Sequence, residues 1–190
     1  MLREDLGMLP PGDIRNCIMS LANTEPTMQK LLNYRFTEGS LAGQSFGNLF
    51  LAAMNGISGS FDEAVHRMGD VLAITGRVLP VTNQNVHLEA EFDNGSRCLG
   101  ESKIFYAKKL NDCRIRKIRL VPEHPQPLPD ALEAIADADV IVLGPGSLYT
   151  SIIPNFLVDG ISEAVTRAQA LKCYVLNIMT QDGETDGYTA

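Results

Sequence analysis

The chain has no tryptophan, only four cysteines and three histidines, and no excess of positive charge. Each shortage removes a class of function. Cys17, Cys98, Cys113 and Cys173 are scattered and form no C-x-x-C pair, which excludes a zinc ribbon and fits small thiols in a reducing compartment. His66, His87 and His124 show no H-E-x-x-H or related spacing, so no histidine-based metal centre is expected. Lys and Arg total 16 against 23 Asp and Glu, a formal net charge of −7. With no basic block to offset it, that balance argues against a nucleic-acid or anionic-membrane surface. No apolar run approaches the roughly 20 residues of a membrane-spanning helix, and the first residues carry no signal-peptide core. The expectation is a cytoplasmic protein with no nucleic-acid partner and no membrane insertion.

What is present is the texture of an α/β fold on a chain of 190 residues, long enough for one domain with a sizeable core. Behind the turn at Pro10, Pro11 and Gly12, the residues Ile14, Cys17, Ile18, Leu21 and Ala22 fall at i, i+3, i+4, i+7 and i+8. This spacing predicts a helix with one buried face. Asp13, Arg15 and Asn16 lie at its start, where free N–H groups favour an anion, or serve simply as a cap. A second helix is predicted over Glu25 to Phe36, then a glycine-rich link from Gly39 to Gly43. Ser45 to Met54 reads as a helix apolar on nearly every side, with Gly47 and Asn48 out of keeping near its start. A buried asparagine needs hydrogen-bond partners, from a ligand or from a neighbouring loop. Ser60-Phe-Asp-Glu63 is a capping box heading the apolar stripe Phe61, Ala64, Val65, Met68 and Leu72.

From Ile74 to Val121 the pattern turns to antiparallel strand. Val86, Leu88, Ala90 and Phe92 alternate with His87, Glu89, Glu91 and Asp93, so one face is packed and the other wet. Asp93-Asn94-Gly95 predicts a type I′ hairpin turn, and Arg114 to Val121 a further strand. Residues 74–121 thus read as a small β insertion serving as lid, partner surface or support. Beyond it, a helix at Leu128 to Ala136, a strand at Val140 to Leu143, a helix at Ile161 to Ala170 and a strand at Cys173 to Ile178 alternate as in a parallel sheet.

The strand Val140 to Leu143 is a short, continuous, largely β-branched run, the pattern of a strand covered on both faces. It leads directly into Gly144, Pro145 and Gly146, where backbone N–H groups can approach an anion. Ser147, Tyr149, Thr150 and Ser151 add hydroxyls. A phosphate is the natural guest, and a tight turn with Ser and Thr capping a helix is the alternative. Tyr149 stands where a dinucleotide fingerprint needs its third glycine, and no lysine follows, which excludes both a nicotinamide or flavin site and a P-loop. Asp182, Glu184 and Asp186 with Gly187 echo half of a calcium loop without the closing carboxylate. Magnesium bridging them to a diphosphate, or a solvated acidic loop, are the remaining readings. No nucleophile elbow or Ser-His-Asp order is present.

Several stretches together carry a resemblance: Pro10-Pro-Gly-Asp-Ile-Arg-Asn16, Gly47-Asn-Leu49, Gly76-Arg-Val-Leu-Pro80, Gly100-Glu-Ser102, Gly144 to Ser151 and Met179 to Ala190. In these the chain resembles the YvcK family of gluconeogenesis factors, within the CofD-like superfamily, along nearly all of its length. The resemblance implies a Rossmann-like three-layer α/β/α fold with a mainly parallel sheet and a small antiparallel insertion. It also implies a nucleotide-type ligand, a UDP-sugar such as UDP-N-acetylglucosamine or another nucleotide diphosphate, and a regulatory link between carbon metabolism, cell-wall synthesis and cell shape. Family members open with a strand and a Gly-Gly-Gly-Thr-Gly loop, followed by Asp-Asp-Gly-Gly-Ser-Ser-Gly. This chain begins after both and stops before the C-terminal part, so residues 1–190 are expected to be a single domain truncated at both ends.

Carried over by motif, Gly144 to Ser151 should meet the phosphates, with Asp13, Arg15, Asn16, Asn48 and Asn177 lining the same crevice. The implied role is a non-catalytic sensor without cofactor, acting through a protein partner and as a homo-oligomer. The alternative is a CofD-type transferase that moves a phospholactyl group to a deazaflavin with magnesium.

Overall fold

A computed structural model of the chain describes residues 11–23 and 25–189, and these belong to two compact units, Met1–Asn83 and Gln84–Ala190. Pro10, the first residue of the expected opening turn, and Ala190, the last of the motif residues, lie outside the described residues.

The first unit is helical: α1 (Gly12–Leu21), α2 (Pro26–Asn33), a short 3-10 turn (Gly39–Leu41), α3 (Phe46–Ile57) and α4 (Phe61–Val71). Proline opens α2, where the missing N–H costs nothing. The helix ends earlier than expected, at Asn33, because Tyr34 is extended and Arg35 forms an antiparallel bridge with Ser45. Ser45 caps α3, its hydroxyl accepting from the Asn48 N–H at 3.2 Å. Ser60 caps α4 by accepting from the Glu63 N–H at 3.4 Å, while Glu63 reaches back to the Gly59 N–H at 2.7 Å. That return bond lands one residue outside the usual box. The predicted stripe Phe61, Ala64, Val65, Met68 and Leu72 is buried and packs with Ile18, Leu32, Leu51 and Met54 into one core. Each aliphatic side chain of this size contributes about 1.5–3 kcal/mol on burial. Two helices are less buried than their pattern suggested. On α1 only Ile18 is fully buried, with Cys17 and Leu21 exposed, and α3 turns Ile57 to the outside.

The second unit is mixed α/β. It opens with β1 (His87–Phe92), β2 (Arg97–Leu99), α5 (Glu101–Asn111) and β3 (Ile115–Val121), the strands forming an antiparallel sheet in the order β2-β1-β3. Leu88 faces Leu120 and Ala90 faces Ile118, and these residues with Phe92 and Ile115 are buried, as is Ile104 of α5. The alternation read from the sequence is therefore the core side of this sheet. The hairpin differs in type. Only Gly95 has a positive φ, +79°, so the turn is not type I′, which demands the same of Asn94. Asn94 instead accepts from the Ser96 N–H at 2.9 Å. Helix α5 occupies residues that had been read as strand.

The unit continues with α6 (Pro129–Ala136), β4 (Val140–Leu143), a single π turn (Leu148–Ile152), α7 (Ile153–Phe156), α8 (Ile161–Arg167) and β5 (Leu171–Tyr174). β4 and β5 pair in parallel, Val140 with Leu171 through Leu143 with Tyr174, a βαβ arrangement. The expected cover on both faces of β4 is not found: Val140 and Val142 are 50% and 57% exposed. Among the described residues this parallel sheet has two strands, too few to enclose either one. β5 also starts earlier and ends at Tyr174, with the Val175 N–H still donating to the Leu143 carbonyl at 2.9 Å. Likewise α8 stops at Arg167, where Ala168 turns extended. The α/β class read from the sequence holds. Among the described residues no helix is long and apolar enough to cross a membrane.

Candidate functional site

The glycine loop follows β4 as expected, but its amides face inward. The Gly146 N–H donates to Asn177 Oδ1 at 3.0 Å, and the Asn177 amide returns a bond to the Gly146 carbonyl at 2.7 Å. Ser147 is a hub. Its hydroxyl accepts from the Thr150 N–H at 3.1 Å and the Thr150 hydroxyl at 2.7 Å, and donates to Glu184 at 2.6 Å. The Tyr149 N–H donates to the same Glu184 oxygen at 3.3 Å, and the Ser151 N–H returns to the Ser147 carbonyl at 3.0 Å. Tyr149 also shares a hydrogen bond with Tyr188 at 3.1 Å, which with burial pushes its phenol up to about 12. Gly144 and Pro145 are exposed at the mouth of the loop.

Among the described residues, the N–H groups of Gly146 and Tyr149 thus meet an internal amide and an internal carboxylate, Asn177 and Glu184, beside the place expected for a phosphate. Glu184 is buried, and its other oxygen pairs with Lys108 of α5 at 2.5 Å. Asn177 fastens the loop through both polar atoms of its side chain.

Beside the loop lies a cleft of about 1260 Å³, bordered by Ser147 and Thr150, by α5 and by the turn at Gln181 to Asp186. Its lining carries six carboxylates, from Asp93, Glu101, Asp112, Asp182, Glu184 and Asp186, against Lys108, Lys109 and Arg114. A formal excess of negative charge makes it a poor host for a diphosphate.

In the first unit the charge logic is reversed. Arg15 of α1 lays its side chain across the start of α3, passing so close to Gly47 that a Cβ there would lie 2.7 Å from Arg15 Cδ. That approach explains the glycine that looked out of place in the sequence. The guanidinium donates to Asn16 Oδ1 at 2.5 Å and, at 3.5 Å, to the hydroxyl of buried Ser45. Ser45 is the N-cap of α3, so a cation sits against the positive end of a helix dipole. Arg35 adds a second positive charge. Burial first, and then Arg35, lower the affinity of Arg15 for its proton. Among the described residues no carboxylate pairs with either arginine, and Arg15 Nε and Asn48 Oδ1 are buried without hydrogen-bond partners. Buried polar atoms of this kind are partnered in native proteins, by protein groups, ordered water or a ligand. Of the residues expected here, Arg15 and Asn48 each bond Ser45 and Asn16 bonds Arg15, whereas Asp13 is exposed in the first turn of α1.

Comparison with known proteins assigns the chain to a family. The profile described as 2-phospho-L-lactate transferase CofD matches residues 1–190. The chain belongs to the CofD family. A Thermoanaerobacterium thermosulfurigenes relative named "Putative gluconeogenesis factor" is 62% identical over 100% of this chain and 59% of its own length. A Bacillus subtilis relative named "Gluconeogenesis factor" is 48% identical over 100% of this chain and 59% of its own. A crystal structure of a Bacillus halodurans protein superimposes with a TM-score of 0.93 at 47% identity, over 100% of this chain and 60% of that one. The chain therefore spans less than two thirds of these relatives.

A magnesium ion in a CofD-type transfer would be held by one or two carboxylates together with the phosphates of its ligand. Among the described residues no three His, Cys, Asp or Glu side chains converge, and Glu184 is already engaged by Lys108, Ser147 and Tyr149. Ser45, Arg35 and Lys108 were missed by sequence reasoning, and Glu184 was singled out only as part of an acidic loop, not as the internal partner of Ser147. Ser45 had a signal, an N-cap hydroxyl three residues before Asn48; Lys108 had none, since its helix was read as strand.

Proposed function

We propose that this chain is the part of a gluconeogenesis factor that helps hold a nucleotide sugar, of the UDP-N-acetylglucosamine kind, and acts as a cytoplasmic regulator rather than an enzyme. One observation carries the reading: Arg15, backed by Arg35 at the N-terminus of α3, has no anionic partner among the described residues, and Arg15 Nε and Asn48 Oδ1 are buried with unmet hydrogen bonds. A diphosphate oxygen satisfies the donor, and a sugar hydroxyl or base N–H satisfies the acceptor. Regulation through a protein partner, self-association, and a link from carbon metabolism to cell-wall synthesis and cell shape belong to the same proposal.

The second reading, phospholactyl transfer to a deazaflavin, is favoured by the description of the matching family profile. The absence of a nucleophile does not oppose it, since such transfer depends mainly on positioning and electrostatics. Calorimetry with UDP-N-acetylglucosamine, followed by chromatography of the mixture, separates the two. Heat of binding without product supports the sensor; product formed from a phospholactyl donor and deazaflavin supports the transferase; no binding at millimolar ligand removes the sensor reading.

A further inference from the structure

We propose that the 1260 Å³ cleft of the second unit is a docking groove for a segment of a protein partner rich in lysine or arginine. The inference goes beyond the nucleotide-sugar reading and uses different residues. Its size exceeds the roughly 300–1,000 Å³ of small-molecule pockets, which suits a stretch of polypeptide.

Charge selects the occupant. Glu184 is neutralised by Lys108 at 2.5 Å and Asp186 is approached by Arg114 at 3.9 Å. Asp93, Asp112 and Asp182 have no ion pair among the described residues, and Lys109 is the only remaining cation of the lining. An anionic ligand is repelled by such a rim, whereas a cationic one is steered into it. A second copy of this chain, with its net charge of −7, is disfavoured by the same argument.

The wall of the cleft supplies anchors as well. Phe105 and Tyr106 of α5 both line it, are 58% and 62% exposed, and meet edge to face with ring centroids 5.6 Å apart. Aromatic residues are enriched in protein–protein interfaces relative to the rest of the surface. Their faces also attract guanidinium and ammonium groups directly. Acidic rim and aromatic wall therefore point to the same partner chemistry.

Fluorescence anisotropy of a labelled nine-residue peptide alternating Arg and Leu, titrated with the full chain, tests the proposal. Binding should weaken with salt, fall about tenfold in the Asp112→Asn/Asp182→Asn variant and fall several-fold in Tyr106→Ala. Asparagine tolerates the left-handed backbone at position 112, so the double variant keeps its fold, which circular dichroism checks. A control variant of equal charge change, Glu133→Gln/Asp137→Asn at exposed positions of α6 and its C-cap, should bind as the parent does. Equal loss in cleft and control variants, no binding by the parent, or displacement of the peptide by UDP-N-acetylglucosamine would each overturn the assignment. Because the nucleotide-sugar reading is tested by calorimetry and by Arg15 variants, failure of one leaves the other distinguishable.

Discussion

Replacing Lys108 by methionine should destabilise the second unit by about 3–5 kcal/mol, the cost of breaking a buried ion pair by removing one partner. The side chains of Lys108 and Glu184 are 11% and 3% exposed, so water cannot compensate the carboxylate that remains. Among the described residues, only the Ser147 hydroxyl and the Tyr149 N–H would still hydrogen-bond it. With a urea m-value of about 2 kcal/mol per molar, the unfolding midpoint falls by about 2 M. Adding Glu184→Gln removes the stranded charge yet leaves an acceptor for Ser147, so the double variant should regain at least half of the loss. An exposed pair such as Arg97 with Glu91 gives the contrast, since pairs of that kind contribute about 0.2–1 kcal/mol. Urea titration followed by circular dichroism reads all three variants. A loss below about 1 kcal/mol in the single variant, or a double variant no better than it, would refute the claim that this pair is buried and fastens the glycine loop.

Gly47→Ala should destabilise the first unit by about 1–3 kcal/mol despite alanine's higher helix propensity, because the new Cβ meets the Leu32 carbonyl, a backbone atom, at 2.7 Å; chemical denaturation measures it. Tyr149, pushed up to about 12 by Tyr188 and burial, should ionise later than an ordinary phenol at about 10. Its raised folded value means the stabilisation is complete below about 10 and is lost as pH rises through about 12, and Tyr188→Phe should bring the late step in the ultraviolet titration down. Asp62 is held below its ordinary range by the Ser60 hydroxyl and the Asn83 amide. That stabilisation is present above the unfolded value of about 3.9 and is lost as pH falls through the folded one. The melting-temperature gap between the parent and Asn83→Ala should therefore shrink from pH 7 to pH 2.5; a constant gap contradicts the assignment.

Much of the fold was legible because local patterns and tertiary packing agree in it. The stripe from Phe61 to Leu72, the alternation from Leu88 to Phe92 and the strand at Val140 to Leu143 all lie where periodicity put them. Helix α5 was not legible: Ile104 is buried while Phe105, Tyr106 and Leu110 face outward, so no 3.6-residue stripe marks it. The glycine loop shows the limit for sites. Its residues advertise anion binding, but whether an amide is available depends on partners such as Glu184, 37 positions from Ser147. Spacing cannot report that. At Gly47 the sequence flagged an anomaly and the structure supplied its cause, the passage of Arg15.

The central claim is that the uncompensated Arg15 site in the first unit receives the anionic part of a nucleotide sugar. Calorimetric titration of UDP-N-acetylglucosamine into the parent chain and into Arg15→Gln tests it most directly. Binding by the parent that weakens at least tenfold in the variant is the predicted result, and unchanged affinity in the variant would contradict it.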